Sequence, residues 1–148
     1  MIDPRIDRTT RVMVQGITGR AGRMHSRLMR DYGTHIVAGV SPNAGVTGID
    51  GVPVFASCRD AVAQTGATAS VLLVGAEQLL GAIGDAVQAE IKLIVTPTEG
   101  MPVHDALRAR RLTQEAAVTW IGASTPGMAV AGQAKLGFLP EASLAPGP

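Results

Sequence analysis

Between Arg11 and Gly122, short apolar runs alternate about five times with segments of helical spacing, and the connections are only a few residues long. Parallel strands cannot be joined by tight hairpins and need crossover helices, so this alternation predicts an α/β fold with a doubly wound, mostly parallel sheet of about five strands. The strands are read at Arg11–Gln15, His35–Val40, Ala69–Val74, Ile91–Val95 and Val118–Ile121. Helices are read at Arg20–Tyr32, from an N-cap at Ser57 to Gly66, and at Ala76–Ala89 and Val103–Ala116. Met24 and Leu28, with Ala21, are expected on the buried face of the first helix, and Gly33 stops it. Val52–Phe55 is a short extended piece whose Pro53 argues against a central place in the sheet. After Gly122 the chain reads as mostly irregular, with a short strand at Lys135–Leu139. Residues 1–140 form one expected domain, and 141–148 a tail or linker.

Composition narrows the function. With 46% hydrophobic and 17% charged residues the chain can bury a core, so disorder is excluded. A formal charge of +1 and 3% aromatic content supply neither a basic field nor stacking platforms, so neither nucleic acid nor a membrane surface is an expected partner. A single cysteine, Cys58, rules out an internal disulfide and a cysteine-rich zinc site, and no metal site is expected. No apolar run approaches the ~20 residues of a membrane span, and the first residues lack the apolar stretch of a signal peptide. A cytoplasmic protein is the expectation.

In a doubly wound sheet, ligands bind beyond the carboxyl ends of the strands, where strand order reverses. The loops of interest therefore start at Gly16, Ser41, Gly75, Thr96 and Gly122. The first reads Gly16-Ile-Thr-Gly19-Arg-Ala-Gly22, in strand–loop–helix context, where close backbone approach and a helix N-terminus suit a phosphate. Its GxxGxxG spacing differs from the dinucleotide fingerprint GxGxxG, and there is no GxxxxGK[ST]. Dinucleotide domains commonly carry Asp or Glu at the end of the second strand for the ribose hydroxyls, whereas here it ends in Val40-Ser41-Pro42-Asn43. Arg20 and Arg23 can lend positive charge to a phosphate or stand as solvated helix residues.

Several motifs together resemble a known family. Gln15-Gly-Ile-Thr-Gly-Arg-Ala-Gly22 with Met24-His25-Ser26 is similar to the coenzyme A loop of succinyl-CoA synthetase α subunits. Tyr32-Gly33-Thr34, Gly39-Val40-Ser41-Pro42, Gly51–Phe55 and Ala67–Val71 continue the match in order. So do Ile91–Ile94, Thr98-Glu-Gly-Met-Pro102, Ile121-Gly122 and Pro126-Gly127. The resemblance implies a Rossmann-like CoA-binding domain of the nucleoside-diphosphate-forming acyl-CoA synthetases, with coenzyme A as ligand. It implies CoA contacts at Gly16, Thr18, Gly19, Arg20, Ala21 and Gly22, at Ser41, Pro42 and Asn43, at Thr96, Pro97 and Thr98, and at Ser124. Glu99 matches an acidic residue near the family's catalytic histidine loop, which implies a supporting catalytic role. Two departures stand out: Ala44 falls where the family usually has a Lys, and Gly122-Ala-Ser-Thr-Pro-Gly127 replaces its usual Gly-Pro-Asn-Cys-Pro-Gly.

The family passes a phosphoryl group through a histidine in a Gly-rich loop of a second domain, and a separate ATP-grasp subunit binds the nucleotide. His25, His35 and His104 lie on a helix, at a strand start and at a helix start, none of them in a glycine loop. The resemblance thus implies a CoA-binding subunit or domain of an acyl-CoA ligase that needs histidine-domain and ATP-grasp partner chains, in a hetero-oligomer, for ATP-dependent thioester formation. The chain ends at Pro148, about where the histidine domain would begin. A stand-alone, non-catalytic CoA or nucleotide module, acting as sensor or scaffold, is the alternative. An NAD(P)-dependent oxidoreductase domain is supported by the fold pattern alone. Cys58 has no histidine placed in sequence to activate it, Ser124 and Thr125 lack a GxSxG elbow, and Arg108, Arg110 and Arg111 read as a solvated helix face.

Overall fold

The computed structural model describes residues 5–43 and 45–148. In chain order the elements are β1 (Arg11–Gln15), α1 (Arg20–Tyr32), β2 (His35–Val40), β3 (Gly48–Ile49), β4 (Val52–Phe55), α2 (Cys58–Thr65) and β5 (Ala69–Leu72). A 3-10 turn at Ala76–Gln78 leads into α3 (Leu79–Gln88), followed by β6 (Leu93–Thr96), α4 (Val103–Glu115) and β7 (Thr119–Gly122). The seven-stranded sheet runs β3-β4-β2-β1-β5-β6-β7, and only the β3–β4 pair is antiparallel.

All five strands read from the sequence are present, and the sheet extends past β2 by two more. Asp50 and Gly51, both with positive φ, join Ile49 to Val52, the geometry an Asp-Gly hairpin turn requires. Pro53 is tolerated because its neighbour on that side is the two-residue β3. Arg27 fastens this corner to α1, with Nε 2.7 Å from Asp50 Oδ2.

Side chains alternate across the sheet. Val12, Val14, Val71 and Val95 point to one face and Met13, Leu72 and Ile94 to the other. The second face is covered by α2, α3 and α4 through Ala61, Ile83, Ala86 and Ala109. The first is covered by α1 and by a hairpin, β8 (Gly127–Val130) with β9 (Ala134–Gly137). β9 overlaps the short strand expected at Lys135–Leu139, and its pairing with β8 corrects the expectation that the rest of this end is mostly irregular. Met128, Ala134 and Leu136 pack inward and do the work of a second helix. Beyond it, Glu141–Ser143 forms a 3-10 turn, and Tyr32 Oη donates to the Leu144 carbonyl at 2.7 Å.

The face assigned to α1 also needs correcting. Met24 and Leu28 are 51% and 42% exposed, Ala21 is exposed, and the buried residues are Gly22, Ser26 and Met29. Hydrophobic periodicity misled because two of the three inward positions are small and polar or featureless, and at Gly22 the helix lies so close to the first loop that a Cβ would not fit.

Candidate functional site: a cavity at the strand-order switch point

Chain order leaves β1 in one direction through α1 to β2, and returns on its other side at β5. The loops after β1 and β5 therefore diverge, and a cavity of about 670 Å³ opens between them. The first loop contributes Gly16, Thr18 and Gly19, and the loop after β2 contributes Ser41, Pro42 and Asn43.

Local sequence dictates this shape. Gly16 has φ +85°, and a Cβ there would press on the Leu73 backbone and Val74 Cγ1. Gly22 has ordinary helical backbone, but a Cβ on it would collide with the Gly16 carbonyl oxygen. Gly19 differs: its φ is −72° and the nearest atom to a Cβ would be 3.5 Å away, so the protein itself does not demand glycine there. Gly19 is the N-cap of α1 and offers no side-chain cap. The first intrahelical bond is Arg23 N–H to the Gly19 carbonyl, 2.9 Å, so the amides of Arg20, Ala21 and Gly22 precede the helical ladder. An anion beside Gly19 meets those amides and the positive end of the helix dipole.

Thr18 and Ser41 share a hydrogen bond of 3.0 Å between their hydroxyls across the cavity mouth, and Ser41 Oγ accepts from Asn43 N–H. Gln15 forms the floor: it accepts from Ser70 Oγ at 2.8 Å and donates from Nε2 to the Ala82 carbonyl at 3.0 Å. On the far wall, Gly75 N–H donates to Gln78 Oε1.

A second cavity, about 370 Å³, lies at the ends of β6 and β7, between Pro97, Thr98 and Glu99 on one side and Ser124 and Pro126 on the other. Thr98 links the two sites, since its Oγ1 donates at 2.8 Å to the carbonyl of Val74, which lines the larger cavity. Ser124 N–H donates to the Thr98 carbonyl and holds the two loops together.

The expected contact residues thus divide. Gly16, Thr18, Gly19, Ser41, Pro42 and Asn43 line the larger cavity, while Pro97, Thr98, Glu99 and Ser124 line the smaller. Arg20 and Ala21 are exposed at the start of α1, and Arg23 folds back to donate from Nε to the Thr18 carbonyl. Gly22 and Thr96 are buried and line neither cavity. Gly22 packs on the first loop, and Thr96 Oγ1 accepts from Trp120 Nε1. Ala44 lies outside the described residues. Gln15, Gln78 and Phe138 were not among the expected contacts: Gln15 ends β1 just before the first loop, Gln78 follows Gly75 in a loop marked by the alternation, and Phe138 reaches the smaller cavity from just beyond β9, a placement that local pattern does not reveal.

The other reactive groups stand apart. Burial, with a smaller contribution from Asp85, pushes the Cys58 thiol up to about 12, so it is a packing residue. His35 and His104 are exposed, and His25 packs its ring against Phe138 at 3.9 Å. Arg108, Arg110 and Arg111 are exposed, and Arg108 lies 4.0 Å from Asp105. Among the described residues no three His, Cys, Asp or Glu side chains gather as metal ligands, and no helix is long and apolar enough to cross a membrane.

A doubly wound sheet with an uncapped helix start at its switch point, and no carboxylate at the end of β2, defines a domain that binds a phosphate-bearing nucleotide. Residues 7–100 match the CoA binding domain family, and the chain belongs to that family, with coenzyme A as its ligand. The resemblance read from the motifs is borne out. Over 142 residues the chain is 45% identical to the succinate–CoA ligase [ADP-forming] subunit alpha 2 of Archaeoglobus fulgidus, covering 96% of this chain and 50% of that subunit. The apo dinucleotide-forming acetyl-coenzyme A synthetase 1 of Ca. Korarchaeum cryptofilum superposes with a TM-score of 0.78 at 19% identity, over 90% of this chain and 30% of that one. ATP citrate lyase from Methanothrix soehngenii, in complex with citrate and coenzyme A, gives 0.77 at 19% identity, over 88% and 23%. Those two likenesses speak for the fold alone. The chain spans about half the length of the curated relatives it matches.

Proposed function

We propose that this chain is the CoA-binding part of an acid–CoA ligase of the nucleoside-diphosphate-forming kind, acting with histidine-domain and ATP-grasp chains in the cytoplasm. The observation that carries this reading is the Thr98–Val74 hydrogen bond, which sets the walls of the two cavities side by side. In this reading the CoA pyrophosphate rests on the amides of Arg20 and Ala21, with Gly19 leaving room for it. Ser41, Pro42 and Asn43 flank the nucleotide, and pantetheine passes Thr98 so that the thiol ends beside Glu99 and Ser124. The domain contributes proximity: it holds the thiol in one orientation for attack on an acyl phosphate made by the partner chains. Glu99, exposed at the thiol end, is the group placed to accept the thiol proton. Residues 1–140 serve as the CoA domain and 141–148 as the tail leading from it.

One feature favours the non-catalytic alternative: Ser124 and Thr125 stand where the resembled family has Asn and Cys. Calorimetric titration with CoA, dephospho-CoA, NAD and NADP tests the CoA site. CoA binding with micromolar affinity, weaker for dephospho-CoA and absent for NAD, is expected; preference for NAD would overturn it. Adding a histidine-domain and ATP-grasp partner pair then separates ligase from sensor, because only the ligase reading yields thioester from CoA, acid and ATP.

A further inference from the structure

In doubly wound domains the ribose of a bound nucleotide lies at the carboxyl end of the second strand, where a carboxylate takes free hydroxyls and an arginine takes a ribose phosphate. Coenzyme A carries such a phosphate on its ribose, so the groups around the end of β2 decide how it is recognised, an inference that rests on the CoA reading above. β2 runs into Ser41, Pro42 and Asn43, which line the larger cavity. Ser41 is tied to the first loop by its 3.0 Å hydroxyl contact with Thr18. A guanidinium is tied to that same Thr18, since Arg23 Nε donates to its carbonyl at 3.2 Å.

Past Arg20, three exposed arginines follow one another along α1, Arg23, Arg27 and Arg30, and they are held differently. Arg27 Nε lies 2.7 Å from Asp50 Oδ2, and Arg30 Nη1 donates to the Asp50 carbonyl at 2.7 Å. The hydrogen bond from Arg27 is the main cause that holds the Asp50 carboxyl below its ordinary value, with smaller contributions from the charges of Arg30 and Arg23. Asp50 is thus neutralised by its own partner and does not claim Arg23. One turn nearer the helix start, Arg23 turns back to the loop. Its Nε bond fixes the side chain at the cavity mouth and leaves the terminal fork of the guanidinium, whose planar geometry matches two phosphate oxygens, to a ligand. We propose that Arg23 recognises the ribose phosphate of coenzyme A, its Nη groups donating to phosphate oxygens at the β2 end of the larger cavity while the amides at the start of α1 hold the pyrophosphate.

CoA and dephospho-CoA test this assignment, because they differ only in that phosphate. The full chain is titrated calorimetrically with both. A charge-assisted pair at a solvent-washed mouth is worth about tenfold in affinity, so CoA is expected to bind about tenfold tighter than dephospho-CoA. Arg23→Gln should weaken CoA alone and bring the two ligands within about twofold of each other, whereas a side chain that merely capped the Thr18 carbonyl would affect both alike. Arg23→Lys keeps the charge without the fork and should retain about a threefold preference. Arg20→Gln, at the pyrophosphate seat, should lower both affinities together and leave their ratio unchanged. Circular dichroism confirms that each variant is folded. A parent protein that binds the two ligands equally, a preference that survives Arg23→Gln, or a loss shared by both ligands in that variant overturns the inference and leaves the CoA site standing. Failure of both ligands to bind the parent protein overturns the CoA reading and this inference with it.

Discussion

Replacing Gly22 with alanine sets two well-understood effects against each other. Inside α1, alanine is favoured over glycine by about 1 kcal/mol, because it loses less backbone entropy. At this position, however, the new methyl carbon would lie 2.8 Å from Ile17 Cα and 2.9 Å from Gly16 C, and closer still to the Gly16 carbonyl oxygen. These are backbone atoms, so no rotamer change relieves the overlap, and α1 must move away from the first loop. Forced displacement of well-packed backbone costs about 3 kcal/mol. The net loss is about 2 kcal/mol, which for a chain of this size lowers the melting temperature by roughly 4–8 °C. Gly84→Ala is the control: it lies inside α3, nothing stands within 4 Å of its would-be Cβ, and the same propensity gain should raise the melting temperature by about 2–4 °C. Thermal unfolding by circular dichroism reads both. A Gly22→Ala protein that melts at or above the parent temperature would refute the assignment of Gly22 as the contact that seats α1 on its loop.

Gly19→Asp should uncouple binding from stability. An aspartate N-cap stabilises α1 by a few tenths of a kcal/mol yet sets a negative charge at the proposed phosphate seat, so CoA affinity should fall at least about tenfold with no loss in melting temperature; unchanged affinity would remove the phosphate from that helix start. Cys58, raised from 9.0 to about 12 mainly by burial, should resist iodoacetamide at pH 8 in the folded protein and react once urea unfolds it. The same shift makes the folded state lose stability as pH rises from about 9 towards 12, since the unfolded thiol ionises first, and Cys58→Ala should flatten that alkaline slope. His25 is shifted the other way, below 6.5, so the unfolded chain takes up its proton first and stability should fall as pH drops through about 6.5. Urea titrations at pH 7.5 and 5.5 measure this, and a His25→Gln variant with the same pH dependence would show that the acid sensitivity arises elsewhere.

By itself the sequence determined the alternation of strands and helices, and with it the switch point and the loops that surround the cavity. Those features are local: period, chain punctuation at Gly16 and Gly33, and connection length are written within a dozen residues of one another. The Asp50-Gly51 turn is equally local, since its positive φ angles follow from the residue pair itself. The rest depended on contacts between distant segments. Gly22 faces inward because α1 must approach the first loop closely, which no hydrophobic count can register. The β8–β9 hairpin covers a sheet face because it meets β6 in the sheet, while β9 also packs on α1, about a hundred residues away in the chain. Thr98 meets Val74, and Phe138 meets His25, only once the parallel strands are laid side by side. Motif order revealed the family through that local writing. The hydrogen bond that ties the wall of one cavity to the wall of the other was decided by packing.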